Sequence, residues 1–165
     1  MNAERSNYIT PAGFAALHQR YDCLLGTERP ALVEVISWAA GNGDRSENGD
    51  YIYGRKRLRE IDRELAHLAR RMKSAKIVDP SQQLDRKRVY FGASVTIVDD
   101  DGLERTVTLV GEDEADAATG RISWRSPLAN ALKGAVVGDV RRVTLPGGSR
   151  EQEVIAILYP SESAT

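Results

Sequence analysis

The sequence predicts an α+β fold in two parts: an antiparallel α-helical coiled-coil hairpin, then a small α+β domain of short strands and one helix. Three observations predict it. Apolar residues in the first half recur at alternating steps of three and four, the seam of a coiled coil. Beyond residue 80 the pattern changes to β-rich runs separated by Gly, Pro and Asp turns. Charge is sorted at nearly the same place. Residues 1–88 carry 16 Lys and Arg against 12 Asp and Glu, residues 89–165 carry 7 against 12, and the 165-residue chain as a whole is at −1. A near-neutral chain with regionally sorted charge presents different surfaces to different partners.

The first arm starts at Thr10-Pro11, with Thr10 as cap and Pro11 at the first helical position. Its seam runs through Phe14, Leu17, Tyr21, Leu24, Ala31, Val35 and Trp38, widened by Leu25, Leu32 and Ile36. Pro30 falls inside this pattern and predicts a kink. Gly41-Asn42-Gly43-Asp44 is a turn by composition. The second arm carries Tyr51, Gly54, Leu58, Ile61, Leu65, Leu68, Met72 and Ala75 on its seam, weakened at Gly54. Arms of roughly 28 residues at ~1.5 Å rise make a rod of about 40 Å. Domain boundaries are expected at 1–80 for the hairpin, 81–88 for a polar linker and 89–165 for the second domain.

In that second domain, Val89–Val98 and Leu103–Val110 are predicted strands around the Asp99–Gly102 turn. An acidic loop containing Glu112, Asp113, Glu114 and Asp116 leads to Arg121–Arg125. Pro127–Lys133 is a short helix stopped by Gly134. Val140–Leu145, the Pro146-Gly147-Gly148 turn and Val154–Tyr159 complete a strand–turn–strand unit.

Composition excludes several function classes. Cys23 is the only cysteine, so no internal disulfide framework exists, and a reducing cytoplasm is expected. One cysteine and two distant histidines, His18 and His67, cannot assemble a zinc or Cys/His catalytic cluster. No run approaches the ~18 apolar residues of a spanning helix, and the first thirty residues carry no signal-peptide pattern. Trp38 and Trp124 are read as core residues.

Chemistry is expected at the string GDRSENGDY, Gly43 to Tyr51, where the hairpin turns. Asp44 and Glu47 at i, i+3 on a first helical turn would share one face about 5–6 Å apart. Two carboxylates so placed can ligate a hard cation such as Mg²⁺. The same pattern is that of a capping box, so cap and metal both stand on spacing alone. An exposed acid pair has no pocket of its own, so any catalysis has to occur inside another molecule's cavity. Within residues 51–76, nine bases face three acids, a surface suited to a nucleic-acid backbone. It lacks interleaved aromatics for base stacking.

These residues carry a resemblance. WAAGNGDRSENGDY (Trp38–Tyr51), KRLREIDREL (Lys56–Leu65) and KIVDP (Lys76–Pro80) resemble the bacterial transcript cleavage factors, the GreA/GreB family, on its GreB side. YFGASVTIVDDDG (Tyr90–Gly102), SPLANAL (Ser126–Leu132), VGD (Val137–Asp139) and Pro146-Gly147-Gly148 match the same family's C-terminal domain. The resemblance covers nearly the whole chain and implies an FKBP-like fold for the second domain. It implies a monomeric partner of RNA polymerase and of the nascent RNA 3′ end, with no membrane association. The C-terminal domain would dock at the polymerase's secondary channel through Ser126 and Pro127. Asp44 and Glu47 would supply the catalytic carboxylates, holding Mg²⁺ shared with the polymerase, with none bound stably by the isolated protein. Arg55, Lys56, Arg57 and Arg59 would lie along RNA or the channel wall. Where the resemblance leads one to expect Asp before Ser126-Pro127, this chain has Arg125. The rivals are a channel-binding regulator without cleavage and a prolyl isomerase using the FKBP-like domain.

Overall fold

The computed structural model describes residues 6–41 and 48–161. The chain divides into two compact units, one made of the chain up to Gly13 and from Lys76 onward, the other of Phe14–Ala75. This differs from the linear division expected from sequence. Strand β1 (Asn7–Ile9) pairs with β2 (Ala75–Ile77) in a two-stranded sheet, so the first residues described belong with the C-terminal unit. The stretch expected to be a linker is also tied there. It contains a buried Ser81 and a short 3₁₀ turn, Pro80–Gln82. Arg86 donates to the carbonyls of Ser81, Gln83 and Pro160, and Arg88 donates to that of Gly134.

The hairpin unit is built from α1 (Pro11–Cys23), α2 (Arg29–Ala40) and α3 (Gly49–Ser74). Thr10 caps α1 as expected, its Oγ1 accepting from the Gly13 N–H at 3.0 Å. The irregularity expected at Pro30 is a π-helical turn, Leu24–Glu28, closed by the Arg29 N–H bonding to the Leu24 carbonyl. Proline has no N–H, and its ring clashes with the carbonyl four residues back, here Gly26; the wider turn relieves both.

That turn inserts one residue, and it moves the seam by one position. Leu24 is fully buried, and beyond the turn the inward residues are Leu32, Ile36 and Ala39. The expected seam residues Val35 and Trp38 are exposed instead. On α3 the expected seam holds: Gly54, Ile61, Leu65 and Leu68 are buried. Gly54 is a notch rather than a weak point, because Ile36 packs against it where any Cβ would stand.

Charged braces flank this narrow core. Arg20 donates through Nε and Nη2 to the two carboxylate oxygens of Glu64 at 2.9 and 3.3 Å, and through Nη1 to Glu28 at 3.0 Å. The Arg20 hydrogen bond, aided by its charge, holds the Glu64 carboxyl below its ordinary range against the opposing effect of burial. Arg29 Nε donates to Asp62 at 2.9 Å.

The second unit is a five-stranded mixed sheet in the order β5-β4-β3-β7-β6. Its strands are β3 (Ser94–Val98), β4 (Glu104–Val110), β5 (Arg121–Ser123), β6 (Val140–Leu145) and β7 (Gly148–Leu158). All neighbours are antiparallel except β4 and β5. Strand β3 starts later than expected because Gly92, at φ +88°, turns the chain beneath Pro80. A bulge sits between Thr96 and Ile97 where β3 pairs with β7. The short helix α4 (Pro127–Leu132) buries Ala129 and Leu132 against Val95, Ile97, Val107, Leu109 and Val154. Burial of each such aliphatic side chain contributes about 1.5–3 kcal/mol.

Candidate functional site at the hairpin tip and the Ser126–Pro127 loop

Asp44 and Glu47 lie outside the described residues, between α2 and α3. What the structure fixes is the frame on either side. Helix α2 ends at Ala40, with the Gly41 N–H bonding back to the Trp38 carbonyl at 3.1 Å. Helix α3 starts at Gly49, and its N-cap is Asn48, whose Oδ1 accepts from the Tyr51 N–H at 3.2 Å. The Asn48 Nδ2 donates to the Ala39 carbonyl at 2.7 Å, joining the start of one arm to the end of the other. Sequence spacing left open whether Asp44 caps the second arm. The N-cap of α3 is Asn48.

The four cations expected near the tip separate into two kinds. Arg55, Lys56 and Arg59 are exposed. Arg55 lies 5.9 Å from the Tyr51 ring centroid, and its Nη1 donates to the Tyr51 hydroxyl at 3.4 Å. Arg57 is half-buried and donates to Glu60 at 3.3 Å, with its second nitrogen 3.9 Å from Glu28. Its charge therefore serves the hairpin itself, whereas the other three face solvent. Among the described residues no cluster of three or more His, Cys, Asp or Glu could hold a metal ion.

In the other unit Ser126 caps α4, its Oγ accepting from the Ala129 N–H at 3.2 Å, and exposed Pro127 takes the first helical position. Ser123 and Asn130 fix the turn by bonding the Arg125 N–H and carbonyl. Arg125 pairs with Glu112 at 3.3 Å and lies 5.9 Å from the Trp124 ring centroid. Lys133 Nζ is 4.6 Å from the same centroid. Partial burial, then the nearby Arg125 charge, lower the Lys133 pKa.

Trp124 is buried as the sequence predicts, but with a partner that sequence reasoning missed. Tyr8, from β1, tilts against Trp124 at 4.8 Å and Phe91 at 6.0 Å. These rings, with Gln83, Tyr90 and Lys133, line a groove of about 380 Å³. Nothing local in the sequence ties Tyr8 to residues more than eighty positions away. The Thr10 N–H and hydroxyl and the Gly111 N–H, which all donate to the Glu114 carboxylate, hold it there.

Both halves of the chain match one family. The family described as "Transcription elongation factor, N-terminal" of GreA/GreB matches residues 7–77, and "Transcription elongation factor, GreA/GreB, C-term" matches residues 84–159. This chain belongs to the GreA/GreB family. Among GreA/GreB relatives, "Transcription elongation factor GreB" of Neisseria meningitidis serogroup B is 48% identical over 96% of this chain and 98% of its own. The protein of the same name from Yersinia pestis is 45% identical over 94% of this chain and 90% of its own. The solved GreA factor homolog 1 of Thermus thermophilus covers 93% of this chain and 99% of its own at 24% identity, with a TM-score of 0.43. No helix among the described residues is long and apolar enough to cross a membrane.

Proposed function

We propose that this GreA/GreB-family chain binds RNA polymerase at its secondary channel and stimulates the polymerase's own cleavage of backtracked RNA 3′ ends. One observation carries the reading. The acid-bearing string GDRSENGDY joins two arms whose last and first turns are pinned together by Asn48, beside a solvent-facing row of cations. Such an arm delivers carboxylates into a cavity that its own fold does not supply. The length of α3, 26 residues or about 39 Å at ~1.5 Å rise, suits a reach from a surface to a buried centre.

In this mechanism Ser126 and Pro127 belong to the surface that engages the polymerase rim, and the acidic C-terminal half suits a basic one. Arg55, Lys56 and Arg59 neutralise phosphates of the extruded RNA. Asp44 and Glu47 supply hard oxygen donors of the kind Mg²⁺ prefers, while Asn48 caps α3. Mg²⁺ shared with the polymerase supplies charge neutralisation and an activated water for phosphodiester hydrolysis. The chain is a cofactor in this scheme, and the nuclease is the polymerase.

The test is incubation with a stalled, backtracked elongation complex while RNA length is followed. Shortened RNA that can again be extended supports the reading. Binding without shortening would make the chain a channel-occupying regulator instead. Naked RNA with Mg²⁺ should stay intact when the purified protein is added alone.

A further inference from the structure

The hairpin has two unlike sides. On one, Arg55 and Arg59 line a groove with Val33 and Ile36, and neither guanidinium has an ion-pair partner among the described residues. On the other, Glu28, Val35 and Arg57 line a groove of their own. Residues three or four apart share a helix face, and this spacing extends the second side toward the tip. Asp50, Tyr53, Arg57 and Glu60 follow one another at steps of three and four along α3. On α2, Trp38 lies three residues after Val35 and four after Glu34. Trp38 is 66% exposed and Tyr53 is 68% exposed, and neither has a ring or hydrogen-bond partner among the described residues. Arg57 is the one base in this set, and Glu60 and Glu28 answer it at 3.3 and 3.9 Å. Glu34 and Asp50 are exposed and have no ion-pair partner among the described residues.

Exposed aromatic area of this size marks a binding surface. Two features of the flank select the same occupant. Its free carboxylates attract cations and repel phosphate, which leaves nucleic acid to the opposite side with Arg55 and Arg59. The open faces of Trp and Tyr attract cations as well, through the negative face of the ring. Arg in particular both stacks on such rings and pairs with carboxylates. Trp and Tyr are also the residues that dominate binding energy at protein interfaces. An aromatic face beside an unpaired acid therefore fits a protein surface that bears Arg or Lys.

We propose that the flank carrying Trp38, Tyr53, Glu34 and Asp50 is a docking face for a basic protein surface. This rests on the cleavage-factor reading above, in which that surface belongs to the polymerase channel. The arm is then held on its two sides by different chemistry, protein on the acidic aromatic side and RNA phosphates on the cationic side. Holding both sides fixes the rotation of the tip about the arm's axis.

The test measures binding of the full-length protein to core RNA polymerase free of nucleic acid, by biolayer interferometry at low and high salt. Cleavage of backtracked complexes is followed in parallel against protein concentration. Trp38→Ala and Tyr53→Ala should each raise the Kd for core polymerase roughly tenfold, and Trp38→Phe should retain most of the affinity because a ring face remains. Glu34→Lys and Asp50→Asn should slow association, with the difference shrinking at high salt. In the cleavage assay the alanine variants should need roughly tenfold more protein for half-maximal rate and reach a maximum within about twofold of wild type. Helix content by circular dichroism should be unchanged, since all four positions are exposed. Alanine variants that bind core polymerase like wild type refute the docking face and leave the cleavage function standing. Variants weakened only when extruded RNA is present show that the rings touch RNA, which also refutes it. Wild-type dimers that Tyr53→Ala abolishes show that the face pairs two copies of this chain, and refute it equally. Failure of wild-type protein to bind polymerase or stimulate cleavage overturns the functional reading itself, a result visible before any variant is compared.

Discussion

Two glycines of one helix should respond in opposite directions to the same substitution. Gly49 and Gly54 both lie in α3, and alanine has a helix propensity about 1 kcal/mol better than glycine. A Cβ at Gly49 meets nothing within 4 Å, so Gly49→Ala should recover most of that preference, roughly 0.5–1 kcal/mol. A Cβ at Gly54 would stand 2.7 Å from Ile36 Cγ1 and 3.4 Å from its Cδ1. Isoleucine is stiff at χ1, so Cγ1 cannot swing aside without moving the side chain to a poorer rotamer. Overpacking of this kind costs about 1–3 kcal/mol, which outweighs the propensity gain. The expected net loss for Gly54→Ala is about 1 kcal/mol, or ~2–4 °C in melting temperature for a chain of this size. Removing the obstacle should reverse the sign, so Gly54→Ala introduced into an Ile36→Ala background should stabilise. Urea denaturation followed by the helix signal at 222 nm, on the two singles and the double, measures the coupling. Stabilisation by Gly54→Ala in the wild-type background would refute the close packing of the arms at this point.

Asp44→Asn and Glu47→Gln should leave hairpin stability within roughly 0.5 kcal/mol, since α3 is capped by Asn48. Both should bind polymerase yet lose most stimulated cleavage, with partial recovery at raised Mg²⁺; near-normal cleavage by Asp44→Asn removes the catalytic assignment. Glu64 gives a pH signature: its folded pKa is depressed below the unfolded one, first by the Arg20 hydrogen bond. Its contribution is therefore fully present above the ordinary carboxylate range and is lost as pH falls through the folded value. Both groups are partly exposed, so the contribution is below about 1 kcal/mol. Wild type should exceed Glu64→Gln in melting temperature at pH 7, and the gap should close under acid. Thr10→Ala should cost at least about 1 kcal/mol, by removing both the α1 cap and the hydroxyl's hydrogen bond to Glu114, readable in the same denaturation series.

The hairpin was legible because period and punctuation agreed: Thr10-Pro11 opened α1, and Ile61, Leu65 and Leu68 were buried where the heptad put them. Trp38 was misplaced because a heptad count assumes a continuous α-helix, whereas Pro30 forces a wider turn that no propensity scale registers. The strands of the second unit were visible from alternation, but their limits shifted where a left-handed glycine, Gly92, turned the chain early. Tyr8 and Arg86 were invisible for a different reason. Each is placed by long-range hydrogen bonds, Tyr8 through the clasp of Thr10 and Gly111 on Glu114, and Arg86 through the Pro160 carbonyl. At the tip, residue type and order announced two acids among cations. The cap remained ambiguous until Asn48 was seen to hold both arms.

The π turn at Leu24–Glu28 makes the distal half of the first arm an indexed shaft. Each residue of an α-helix advances the azimuth by ~100°, so one inserted position resets which meridian every later side chain occupies. Winding that turn as ordinary α-helix with no residue removed would change the arm's length almost not at all. It would spin everything from Arg29 to Ala40 about its axis, carrying Trp38 toward the meridian that Ala39 now holds and turning Ala39 away from Asn48. Length and orientation are thus set by separate features of the same arm. A sequence that conserves the tip residues but not this offset would present them on the wrong side.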